Sequence, residues 1–163
     1  MPTDRTELMT LDTFPVNDRN RPQYNLCREL LLSPKSFRLV YFQLPADERL
    51  HLKYSILNYL QDKEDLLSVT ASEFVDDLIS GIMGGTFAEA QEPYLQHDIL
   101  LVDDLEHLSL KQSTQDELYI IIKKRLENRK LTILLSEFGL ETLRITVQDD
   151  LIHLLKLGIH EEC

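Results

Sequence analysis

Residues 98–104 read Asp98-Ile99-Leu100-Leu101-Val102-Asp103-Asp104, an unbroken apolar run closed by two carboxylates. A short run without polar alternation has no solvent side, so it predicts a strand buried on both faces of a sheet. Phe37 to Leu44 (FRLVYFQL) and Leu131 to Leu135 (LTILL) share this character, and Leu66 to Thr70 is another run of strand length. Helical spacing fills the intervals. From Asp18 to Leu32 the positions Tyr24, Leu26, Leu30 and Leu31 recur at that spacing, and Ser33-Pro34 ends them because proline disfavours helical geometry in the residue before it. After Pro45, Leu50, Ile56, Leu57 and Leu60 fall on one side. Ser72 opens a helix with the stripe Phe74, Val75, Leu78, Ile79 and Ile82, and Gly84-Gly85 breaks it. A short helix over Phe87 to Tyr94 follows, then one over Gln115 to Leu126 carrying Leu118, Ile121, Ile122 and Leu126. A last helix, Asp149 to Leu157, stops at Gly158 before a strand-like Ile159 to Cys163. Parallel neighbours need crossover connections, so this alternation predicts an α/β fold: a three-layer, mostly parallel sheet with helices on both faces.

With 163 residues, 43% of them hydrophobic, the chain predicts one domain over residues 14–163 with a real core. Residues 1–13 are polar and punctuated by Pro2, which predicts a flexible arm. Seventeen basic against 28 acidic residues give a net charge of -11, and a surface of that sign repels a phosphate backbone. Direct DNA binding is therefore not expected. No apolar run approaches the roughly 20 residues of a membrane helix, and Met1 to Thr10 lacks a signal pattern, so a cytoplasmic location is expected. Cys27 and Cys163 are too few and too far apart for a disulfide scaffold or a zinc site, and read as free thiols.

The form of Leu100-Leu101-Val102-Asp103-Asp104 is that of a Walker B element. Its surroundings add TFPVNDRNRPQYNLCRELL before the first strand, LVYFQLPADERLHLKYSIL across it, VTASEFVDDLISGI after the second, and HDILLVDDLEHLSLKQSTQDELYIIIKKRLENRKLTILLSE. In order and spacing these blocks resemble the nucleotide-binding AAA+ domain of the DnaA family of bacterial chromosomal replication initiators. The resemblance runs from about Phe14 to the end of the chain and implies a P-loop NTPase core with a five-stranded parallel sheet. It also implies that a chain of this length holds no helical lid and no DNA-reading domain.

Triphosphate hydrolysis needs backbone amides around the phosphates, which the pattern GxxxxGK[ST] provides through glycines. The first of only five glycines here is Gly81. Where the resemblance places the P-loop stand Phe42-Gln43-Leu44-Pro45-Ala46-Asp47-Glu48-Arg49. Glu48 falls at the lysine position and Arg49 at that of the magnesium-binding Ser or Thr, or, with a one-residue shift, Arg49 falls at the lysine. Asp103 and Asp104 resemble the Walker B acids that organise magnesium and polarise water, and are read either as residual metal or nucleotide binders or as a structural remnant. Ser136 and Glu137 fall at the sensor 1 position. Leu154, in the block Val147 to Leu155, falls where the family carries its arginine finger. The resemblance therefore implies a non-catalytic member with no cofactor and no catalytic or metal site. Leu151, Leu154 and Leu155 are read either as core or as an apolar surface for a homodimer or a partner.

Between Lys63 and Lys111 there is no Lys or Arg, and eleven acids occupy the stretch. In the resembled family the region matching Ser72 to Gln96 holds single-stranded DNA through basic residues. Here it is either a repurposed acidic surface or a solvated face. Lys123, Lys124, Arg125, Arg129 and Lys130 gather near the end of a helix, where they complement its dipole or offer a weak nucleic-acid contact. His51, His97, His107, His153 and His160 lack paired spacing and read as ordinary polar residues. The resemblance points to an interaction protein modulating replication initiation, its partner DnaA itself or a helicase-loading component. A residual ATP-binding helicase-loader-like protein and a nucleic-acid-binding module are the alternatives.

Overall fold

In the computed structural model, which describes residues 5–162, all five positions of strand β3 (Ile99–Asp103) are buried, as its unbroken apolar run requires. It lies between β2 (Leu66–Thr70) and β4 (Leu131–Ser136); β1 (Leu39–Gln43) and β5 (Ile159–Glu161) continue the sheet in the order β2-β3-β4-β1-β5. Every pairing is parallel, with Leu100 opposite Leu67 and Thr132, and Val40 opposite Ile133 and Ile159.

Successive side chains of a strand point to opposite faces. Val40, Phe42, Ile99, Leu101, Ile133 and Leu135 accordingly share one core with α1 (Arg21–Leu32) and α2 (Ala46–Leu60). Leu39, Tyr41, Leu100, Val102 and Leu134 share the other with α3 (Ala71–Met83), α4 (Phe87–Gln96), α5 (Gln112–Glu127), α6 (Leu140–Leu143) and α7 (Asp149–Lys156). The three-layer α/β architecture expected from the strand and helix periods is the one observed. No helix among the described residues is long and apolar enough to cross a membrane.

The amino-terminal residues depart from the loose arm expected of them. Met1 to Asp4 and Cys163 lie outside the described residues, but Arg5–Leu8 forms a 3-10 turn. The Asn58 amide donates to the carbonyls of Thr6 and Met9 at 2.8 and 2.9 Å, and His51 contacts the Thr13 hydroxyl at 3.1 Å. Polar side chains of α2 satisfy this backbone, which is why a segment with little apolar content is held. Phe14, 6% exposed, begins the buried chain, and Cys27 is wholly buried in α1.

Candidate functional site: an acidic corner closed by Arg49

β1 ends at Gln43 and α2 begins at Ala46, so only Leu44 and Pro45 connect them. Pro45 supplies no side-chain cap, and the first turn of α2 carries Asp47 and Glu48. Carboxylates there complement the positive end of the helix dipole. The same placement would repel a phosphate.

Arg49, in the same first turn, points inward and is 7% exposed. Its Nε donates to Asp103 Oδ1 at 3.0 Å, one terminal nitrogen to Asp104 Oδ1 at 2.9 Å, and the other to the Leu44 carbonyl at 2.9 Å. Glu106 lies 3.7 Å from it, in a 3-10 turn over Leu105–Leu108. Lys53, one turn further along α2, reaches Asp103 Oδ2 at 3.7 Å. The two acids that end the β3 run are therefore brought together with cations from α2. Asp104 turns the chain here with φ of 56°, a left-handed conformation that aspartate tolerates better than most residues.

Burial and neighbouring charges together set the protonation behaviour of the corner. Burial would lower the Arg49 pKa, but Asp103, Asp104 and Glu106 outweigh it and hold the guanidinium above its ordinary value. Burial pushes the Asp103 carboxyl up, and neighbouring Asp104 adds to this; the Asp104 amide, Lys53 and Arg49 oppose it. Glu106 also links the corner to β4 by accepting from the Ser136 hydroxyl at 2.9 Å. Ser136 is thus fully buried and engaged, while Glu137 is exposed.

A triphosphate with its magnesium fits these groups poorly. The two-residue connection forms no cradle of amides, and a guanidinium already satisfies the oxygens that a metal would need. Among the described residues, no group of three or more His, Cys, Asp or Glu is arranged to hold a metal ion. Glu48, expected at the lysine position, contributes to none of these contacts; Arg49 is the residue that meets the acids. Lys53 and Glu106 were not anticipated from sequence. The spacing of Arg49 and Lys53 on one helical face was available as a signal for the former, whereas nothing local marks Glu106.

Other expectations are corrected by packing. Leu151, Leu154 and Leu155 are 1%, 7% and 0% exposed, so the finger-side leucines form core and no apolar docking surface. The basic group near the end of α5 is divided. Lys123, Lys124 and Arg129 are exposed, whereas Arg125 is 1% exposed and donates to Thr132 Oγ1 and to the carbonyls of Tyr94, His97, Asp98 and Leu131. It joins α4, β3 and β4 and cannot reach a nucleic acid. His97 pairs with Asp65 at 2.6 Å, His107 with Ser72 at 2.8 Å, and His160 with Glu162 at 3.0 Å.

Residues 8–162 match the family described as the bacterial DnaA ATPase domain. The chromosomal replication initiator protein DnaA of Tropheryma whipplei is 39% identical over 119 residues, covering 68% of this chain and 24% of that protein. A solved structure described as replication initiator DnaA bound to AMPPCP and single-stranded DNA superposes with a TM-score of 0.86 at 27% identity, over 95% of this chain and 49% of that one. The DnaC helicase loader shares the fold alone, with a TM-score of 0.75 at 17% identity over 96% of each chain. The chain spans about a quarter to a third of the length of the curated relatives it matches.

Proposed function

Since the chain belongs to the family of the bacterial DnaA ATPase domain, we propose that it acts in replication initiation as a protein-interaction module that does not hydrolyse ATP. The observation that carries this reading is the buried contact of Arg49 with Asp103 and Asp104. In a working site those carboxylates would serve a magnesium ion and a water; here an internal cation neutralises them. Leu154, facing the core, cannot serve a neighbouring subunit as a charged finger.

The partner in this reading is a replication protein, DnaA itself or a helicase-loading component, met in the cytoplasm. The finger-side leucines give no support to a homodimer. Direct DNA binding is not part of the reading, because α3 and α4 carry no basic side chain.

Thermal unfolding with and without Mg-ATP tests the catalytic half of the proposal. A ligand at 100 times its Kd adds about 2.7 kcal/mol to the stability of the folded state. No shift and no phosphate release are expected. A clear upward shift would return the ATP-binding, helicase-loader-like reading.

A further inference from the structure

We propose that the α3–α4 face docks a cationic, amphipathic helical segment of a partner protein, with Ile79, Ile82 and Met83 as its apolar anchors. The proposal rests on the reading of the chain as a protein-interaction module and names the surface and partner chemistry that this reading leaves open.

Ile79, Ile82 and Met83 are 48%, 62% and 84% exposed. Their spacing of three and four residues sets them side by side on α3, where Asp76 continues the same face one turn earlier. Ile79 and Ile82 also line a groove of about 310 Å³ with Leu78, Phe87, Thr114 and Glu117. The apolar strip therefore adjoins a concavity into which a side chain of a second helix can insert. Met83 adds a flexible, polarizable contact at one end.

The platform is held in place before any partner arrives. Thr70 and Glu73 form a reciprocal capping box at the start of α3. Gly81 lets α4 approach so closely that a Cβ there would lie 2.6 Å from the Ala90 Cβ. The Tyr94 hydroxyl donates to Asp77 at 2.5 Å, and the Gln91 amide donates to Glu117 at 3.1 Å, tying α4 to both α3 and α5.

Charge decides the occupant. Residues 71–96 hold Glu73, Asp76, Asp77, Glu89 and Glu92 and no Lys, Arg or His. His107 meets Ser72 at the start of α3 at 2.8 Å, and Lys111, the next Lys or Arg, is turned onto the His107 carbonyl at 2.9 Å. A nucleic acid would be repelled by this face, and an apolar segment flanked by Lys or Arg would be drawn to it. The acids also keep the apolar strip from pairing with a second copy of itself, since like charges would meet around it.

The test uses the full chain and fluorescence anisotropy of a labelled amphipathic peptide built from Leu and Lys. A scrambled peptide of the same composition and a Leu–Glu version serve as comparators. Saturable binding of the patterned Leu–Lys peptide is expected, weakened about tenfold or more by the pair Ile79→Ser and Ile82→Ser, as loss of buried anchors does. Asp76→Lys should weaken it too, whereas Asp149→Lys on α7 should change it less than about twofold. Circular dichroism confirms that each variant is folded. Equal binding of the scrambled peptide, indifference to the serine pair, self-association through this face, or a single-stranded oligonucleotide that binds with the same variant pattern would each overturn the proposal. Absent peptide binding together with no Mg-ATP shift overturns the surface assignment and leaves the non-catalytic reading standing; a Mg-ATP shift overturns the reading itself.

Discussion

Arg49 and Asp103, 54 residues apart in sequence, meet at 3.0 Å beneath the carboxyl end of the sheet, each with a side chain only 8% exposed. A charge removed from one side of a buried pair leaves its partner desolvated and unmatched, which typically costs about 3–5 kcal/mol. Arg49→Ala should fall in that range, since Asp103, Asp104 and Glu106 then repel one another. Replacing Arg49 with Met and Asp103 with Leu together should recover much of the loss, because a buried ion pair often yields little net stability over well-packed apolar side chains. Urea unfolding of the two variants measures this directly. A single variant as stable as the parent chain would show that the corner is not held by the pair.

Asp103 and Asp104 were legible in sequence, unlike Glu106, and so was the sheet, because a strand buried on both faces has no polar alternation to mislead the eye. Leu66–Thr70 has the same bounds in sequence and structure. Exposure along helices was less legible. Ile79 and Ile82 complete the period of Phe74, Val75 and Leu78, yet they stand in solvent because α4 covers only part of that stripe. Leu50 is exposed as well, and the core position is taken by Leu52, which lies four and eight residues before Ile56 and Leu60 on their face of α2. A period identifies which residues share a face; what lies opposite that face is tertiary information. Arg125 shows the same limit, since a helix-terminal cation usually reads as solvated and only its carbonyl partners reveal otherwise.

Gly158 sits in the turn between α7 and β5, where a Cβ would lie 2.6 Å from the Leu39 carbonyl oxygen and 2.7 Å from the Leu39 Cγ. Neither atom can withdraw freely, as Leu39 is buried and its strand is paired on both sides. Gly158→Ala should therefore destabilise the fold by about 1–3 kcal/mol through overpacking. Gly85→Ala makes a useful contrast: nothing lies within 4 Å of its Cβ, but φ is +70°, so the cost arises from backbone strain alone. Hydrogen exchange separates the two. Loosening of β5 should appear only in the Gly158 variant.

Asp65 accepts a hydrogen bond from the His97 ring at 2.6 Å, and this contact holds its carboxyl below the ordinary aspartate range. A carboxyl lowered in the folded state contributes stability above its unfolded pKa. The contribution fades as pH falls through the lowered folded value. Asp65→Asn should therefore be less stable than the parent chain at neutral pH, and the difference should close under acid conditions. Parallel acid-unfolding curves check it, and a gap that widened as pH fell would contradict the assignment.

Among the described residues Arg125 is the largest wholly buried side chain, and every acceptor it meets is uncharged: the Thr132 hydroxyl at 2.9 Å and the carbonyls of Leu131, His97, Tyr94 and Asp98 at 2.8, 2.7, 3.0 and 3.3 Å. Burial draws its pKa down to about 10, while Asp98 and Asp65 pull the other way. The guanidinium thus stays charged at neutral pH and draws its compensation from hydrogen bonds. Arg125→Lys supplies one ammonium where a planar fork served several acceptors, so it should lose about 2–3 kcal/mol. Arg125→Ala leaves a cavity and several orphaned carbonyls, and should lose about 3–5 kcal/mol. A base whose folded pKa lies below its unfolded value carries a cost at neutral pH that is relieved as pH rises through the folded value. The stability gap between the parent chain and Arg125→Ala should accordingly widen as pH rises through about 10. Urea unfolding across that pH range reads both effects, and an alanine variant within about 1 kcal/mol of the parent would show that water replaces the fork without loss.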